Sequence, residues 1–126
     1  MHKSRLSGFI IDCETDDLAA SAEFWAAALG APAETRPRSD GGLYIALEVA
    51  KGEPYVEVQK VEHPSRVHID IEADDVPAEV SRLENLGAMK IAEIKDWVVM
   101  EAPTGQRFCV VPVVRAGFAE NANTWK

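Results

Sequence analysis

The chain repeats itself. GFIIDCETDDL, starting at Gly8, aligns without a gap on RVHIDIEADDV, starting at Arg66, so that Ile11, Asp12, Glu14, Asp16 and Asp17 recur as Ile69, Asp70, Glu72, Asp74 and Asp75. An internal repeat constrains a fold strongly, because each copy must form the same local structure and bury a similar apolar face. Each copy is a β-branched strand that runs into an acidic pair, the side chains that cap a helix N-terminus and favour its dipole. A helix is expected after each. In the first, Leu18, Ala22, Trp25 and Leu29 form one apolar stripe and Gly30 stands at the stop, with Phe24 expected beside Trp25 in the helix-face core. In the second, Val76, Val80, Leu83 and Leu86 repeat the stripe, Pro77 sits in the first turn and Gly87 ends it.

Three strand-like runs follow each helix. In the first half they lie around Ala33 to Arg36, Leu43 to Val49 and Tyr55 to Val61, broken by Asp40-Gly41-Gly42 and Lys51-Gly52-Glu53-Pro54. In the second they are Met89 to Ile94, Trp97 to Glu101 and Arg107 to Val113. The expectation is an α+β fold of two βαβββ modules: module one 7–62, linker 63–65, module two 66–113 and a C-terminal tail 114–126, together one domain. A ferredoxin-like sandwich uses the same βαβ start but has too few returning strands.

A net charge of −8 repels phosphate backbones and anionic lipid, so neither nucleic acid nor membrane is the expected partner. No apolar run suits a signal peptide or a membrane span, which places the expected location in the cytoplasm. Cys13 and Cys109 lack CxxC spacing and read as reduced core thiols. Gly-rich phosphate loops and a Ser–His–Asp order are absent from the sequence.

Alternation assigns faces. Val67, Ile69 and Ile71 should cover helices, leaving His68, Asp70 and Glu72 on the other side; likewise Phe9, Ile11 and Cys13 oppose Ile10, Asp12 and Glu14. Val56 and Val58 oppose Tyr55, Glu57 and Gln59. For the run from Arg107, parity alone leaves open whether Phe108 and Val110 or Arg107, Cys109 and Val111 point inward. Trp97 and Trp125 fit either a pocket rim or a dimer seam.

The paired modules, with DDLAASAEFWAAALG in the first and RVHIDIEADDVPAEVSRLENLGA followed by DWVVMEAPTGQRFCVVPV in the second, resemble the glyoxalase-like branch of the vicinal oxygen chelate superfamily. The resemblance implies an eight-stranded half-open barrel around a ligand cavity, helices on its convex side, and often a homodimer. It places Cys109 inward. It also implies four metal-ligand positions, which fall here on Ile10, on Glu57 or Gln59, on His68 and on Cys109. Only His68 matches: Ile10 has no lone pair, and a cysteine stands where a glutamate would be. No complete metal site and no cofactor are therefore expected; were a divalent metal to bind, His68, Glu57 and Cys109 would hold it.

The expected ligand-binding set is Ile10, Asp12, Glu57, Gln59, His68, Asp70 and Cys109, around a small, partly apolar molecule. Asp12 and Asp70, equivalent under the repeat, are expected on adjacent strands as a coupled acid pair or as acceptors for Arg or Trp donors. Three functions compete. A binding protein is favoured by the incomplete ligand set, an enzyme of lyase, isomerase or dioxygenase type would use a metal or acid/base groups on an oxygen-bearing substrate, and a partner-docking domain would fill its own cavity.

Overall fold

The computed structural model describes residues 1–34 and 43–126. Its elements are β1 (His2–Glu14), α1 (Leu18–Leu29), β2 (Tyr44–Leu47), β3 (Tyr55–Val61), β4 (Arg66–Ala73), α2 (Val76–Asn85), β5 (Met89–Ile94), β6 (Trp97–Glu101), β7 (Arg107–Pro112), α3 (Phe118–Asn121) and β8 (Asn123–Trp125). The α+β class expected from the repeat is what the chain adopts. Two compact units divide it: Gly8–Val67, and Met1–Ser7 together with His68–Lys126.

In the unit Gly8–Val67, β3 lies between β1 and β2, parallel to the first and antiparallel to the second. Asp17 caps α1 by accepting from the Ala20 amide at 3.1 Å, and Gly30 ends it at a φ of 66° that a Cβ would disfavour. The helix lays Leu18, Ala22 and Trp25 on Ile11, Cys13, Ile45, Val56 and Val58. Burying side chains of this size stabilises by roughly 1.5–3 kcal/mol each. Leu29 and Phe24 are exceptions to the expected stripe. Leu29 is exposed because the helix ends there, and Phe24 is 63% exposed, edge-on to Trp25 at 5.0 Å, because it sits one step round from the buried face. The strand expected around Ala33 to Arg36 appears as a single bridge from Ala33 to Leu47, flanked by the Glu34 amide on the Ala46 carbonyl; its remainder and the Asp40-Gly41-Gly42 turn lie outside the described residues.

In the other unit the strands run in the order β4-β7-β6-β5. Asp75 caps α2 through the Ala78 amide, and Val76, Val80 and Leu83 pack on Ile71, Ala73, Val98, Met100, Phe108 and Val110. Leu86 stays exposed, past the last helical turn. Val67 and Ile69 are exposed at 58% and 43%, against the expectation that they cover helices: α2 begins after β4 ends and reaches back only as far as Ile71. Among the described residues no helix is long and apolar enough to cross a membrane.

Two buried carboxylates organise this unit. Glu72, fully buried, accepts from Arg5 Nε at 2.8 Å and from the backbone amides of Val114 and Arg115, which moors the chain after β7. Glu79 of α2, equally buried, accepts from His2, Ser4 and Arg82 at 2.8 Å each, while Trp125 of β8 donates to Ser4 and lies under the Arg82 guanidinium. Burial pushes the Glu79 carboxyl up, but the donors from Arg82, His2 and Ser4 outweigh it and hold the group below the usual carboxylate range. The same contact raises the Arg82 guanidinium further. Glu72, expected on the ligand side of β4, is thus spent on holding the C-terminal segment.

Candidate functional site

Residues paired directly across a sheet share a face, so the registers sort every side chain. In Gly8–Val67, Gly8, Ile10 and Asp12 pair with Tyr55, Glu57 and Gln59, and Tyr44 and Ala46 pair with Gln59 and Glu57. All of these lie on the face away from α1. Ile10, Asp12, Glu57 and Gln59 are therefore neighbours, as alternation predicted. Asp12, 2% exposed, has Arg66 Nε at 3.7 Å, and Gln59 donates to the Tyr44 hydroxyl at 2.8 Å. Gly8 is required here: a Cβ would meet the Tyr55 ring at 2.3 Å. Cys13 lies on the opposite face, where burial pushes its thiol up, helped by the Asp12 charge and partly offset by Ser21.

The other unit resolves the open parity of β7. Phe108 and Val110 pack against α2, so Arg107 and Cys109 point away from it. β4 and β7 run parallel with Asp70 opposite Cys109, while β6 places Val99 opposite Cys109 and Glu101 opposite Arg107. On β5, Met89, Ala92 and Ile94 stand opposite Glu101, Val99 and Trp97. His68, two residues before Asp70, shares their face. Trp97 accordingly belongs to the floor of this face.

Three chemically distinct groups converge on it. The imidazole of His68, the carboxylate of Asp70 and the thiol of Cys109 each offer one atom within 4.8 Å of the others, and His68 Nε2 lies 3.6 Å from Asp70 Oδ1. Asp70 is buried, with His68 and Cys109 at intermediate exposure. A nitrogen, an oxygen and a sulfur donor suit a borderline-soft divalent ion such as zinc, whose tetrahedral ligands sit roughly 3.3–3.8 Å apart. The donor set fits such an ion with small side-chain adjustments. Asp70, assigned from sequence to ligand contact, supplies the third donor atom of this group; Glu57, named from sequence for that place, belongs to the other unit.

The sequence placed Arg107 in the same alternation set as Cys109 without giving it a role, and Glu101 was passed over. Arg107 Nε donates to Glu101 Oε1 at 3.0 Å, both half-exposed, on the face of Cys109. The signal was available: once Cys109 points inward, a residue two places earlier does too.

The glyoxalase-like domain family matches residues 8–111. No curated protein matches the sequence. Among solved structures, a methylmalonyl-CoA epimerase in complex with methylmalonyl-CoA and ammonium is similar at 17% identity and a TM-score of 0.63, over 92% of this chain and 97% of that one. A hypothetical protein from Bacillus halodurans is similar at 11% identity and a TM-score of 0.64, over 90% and 97% of the two chains. A Streptomyces coelicolor methylmalonyl-CoA epimerase variant in complex with 2-nitronate-propionyl-CoA follows at 16% identity and a TM-score of 0.58, over 89% and 97%.

Proposed function

Because this chain belongs to the glyoxalase-like domain family of the vicinal oxygen chelate superfamily, we propose that it binds a small oxygen-bearing molecule on the face around His68, Asp70 and Cys109 and moves a proton at the carbon beside its carbonyl. The observation that carries this reading is the convergence of imidazole, carboxylate and thiol within 4.8 Å on a face floored by Val99, Ala92 and Trp97. The structures it resembles include epimerases, an isomerase class, in complex with acyl-CoA thioesters, which motivates both the proton transfer and the thioesters used to test it. The His68 imidazole can accept and return a proton through its ring nitrogens, and Asp70 Oδ1, 3.6 Å from Nε2, is placed to orient the ring. His68, Asp70 and Cys109 could instead hold a divalent ion, which would polarise a carbonyl oxygen and so acidify the neighbouring C–H; the imidazole lone pair would then be spent on the ion, so the two roles of His68 exclude each other.

The hydrocarbon floor of Val99, Ala92 and Ile94 favours a second reading, capture without turnover. Either reading takes a small molecule as the partner, with the cytoplasm and a homodimer as the accompanying expectations. The test is elemental analysis and native mass spectrometry of the untagged protein, followed by proton–deuterium exchange in D2O at C2 of a panel of 2-methyl-branched acyl thioesters. Exchange that disappears in His68→Ala supports the isomerase reading. Saturable binding with no exchange selects capture, and neither binding nor exchange overturns both.

A further inference from the structure

We propose that Arg107 sets the specificity of this face and that the molecule it takes carries a carboxylate; this rests on the reading that the face around His68 and Cys109 is the site. The parallel register pairs Ile69 with Phe108 and Asp70 with Cys109, so Arg107, the residue before Phe108, is level with His68, the residue before Ile69. Its side chain shares the face of Cys109, because Phe108 between them packs into the core beneath α2. The guanidinium is held in place from the far side: Nε donates to Glu101 Oε1 at 3.0 Å, across the β6–β7 pair.

That contact uses one of five N–H donors. The two Nη groups remain as a planar fork matching a carboxylate, and the bond through Nε keeps the fork from rotating away. The chain carries a net charge of −8, so a small anion needs a local cation to be retained, and Arg107 supplies it at 36% side-chain exposure. Away from the fork the face is hydrocarbon, from Val99 and Ala92 to Met89 and Ile94. A carboxylate on Arg107 therefore turns the adjacent carbon toward His68 and Cys109 and lets a short alkyl body lie on that floor. The substrate class is a small branched or linear carboxylic acid, or a larger molecule ending in one.

The test uses the metal-free full chain, isotope-labelled, titrated with isobutyrate and with its uncharged amide while NMR follows the Arg107 Nε–H, the His68 ring and the Cys109 amide. Isobutyrate should shift all three saturably, with the amide weaker by at least about tenfold, the loss expected when a charged hydrogen-bond partner is removed. Arg107→Gln should weaken isobutyrate by about the same factor and erase the preference for acid over amide. Arg107→Lys, which keeps the stem and charge but not the fork, should keep part of that preference and stands in if the Gln variant disturbs the strand. Equal affinity for acid and amide in the native chain, or unchanged isobutyrate affinity in a folded Arg107→Gln, overturns the carboxylate assignment and leaves the site itself standing. Absence of shifts at His68 and Cys109 with either molecule overturns the inference together with the site.

Discussion

The two copies of the repeat, Gly8–Glu14 of β1 and Arg66–Glu72 of β4, share a register and diverge in use. Ile10 is a buried alkyl group where its counterpart His68 presents an imidazole. Asp12 and Asp70 are both buried and each has a cationic or titratable neighbour, Arg66 at 3.7 Å and His68 at 3.6 Å. Glu14 is exposed at the end of its strand, whereas Glu72 is fully buried and holds Arg5 and two backbone amides. The helices repeat the lesson: Ser21 of α1 occupies the place that Glu79 takes in α2. Equal letters in a repeat secure equal backbone, and unequal surroundings then give them unequal work.

The widest gap should appear between the paired glutamates. Glu72→Ala strands Arg5 and the amides of Val114 and Arg115 without their acceptor and should cost about 3–5 kcal/mol in urea unfolding, whereas Glu14→Ala should stay within about 0.5 kcal/mol. Similar costs at both positions would mean that the burial difference carries no energy.

Next comes the pair that differs most in chemistry. Ile10→Ala should lose about 2–5 kcal/mol as a core truncation. His68→Ala should cost less than about 1 kcal/mol of stability while weakening ligand binding by about 1–3 kcal/mol, because Ile71 rather than Val67 or Ile69 does the packing of β4. Thermal melts beside a binding titration measure both, and a large stability loss in His68→Ala would make the imidazole structural.

Gly8 and Arg66 head the two copies of the repeat. Gly8→Ala drives a Cβ into the Tyr55 ring and should cost about 1–3 kcal/mol, recovered in part when combined with Tyr55→Ala, while Arg66→Ala should cost under about 1 kcal/mol from an exposed position. An additive double variant would show that the ring is not the obstacle.

The narrowest effect is confined to acid. Since the folded Glu79 carboxyl lies below its ordinary value, its contribution is fully present above the unfolded carboxylate pKa, about 4.3, and fades as pH falls through the lowered folded value. Glu79→Gln should flatten that part of the stability–pH curve, and Ser21→Ala should leave its slope unchanged; a slope that survives Glu79→Gln would assign the acid sensitivity to other groups.

From the sequence alone came what depends on neighbours a few residues apart: two strands in one register, the Asp17 and Asp75 caps, the stop at Gly30 and one close to Gly87, and the alternation that sets Ile10, Asp12, Glu57 and Gln59 on one face. Periodicity names a face without saying how far the covering element reaches, which is why Leu29, Leu86, Val67 and Ile69 were expected inside and lie exposed. Tertiary structure alone decided the rest. That Asp70 stands beside Cys109, that Arg107 falls in line with His68, and that Arg5 reaches Glu72 while β8 pairs with His2–Ser4 are matters of strand register and chain return between residues 39 to 123 positions apart. No local propensity encodes such pairings. They follow from burying apolar faces while giving the buried carboxylates of Glu72 and Glu79 their donors.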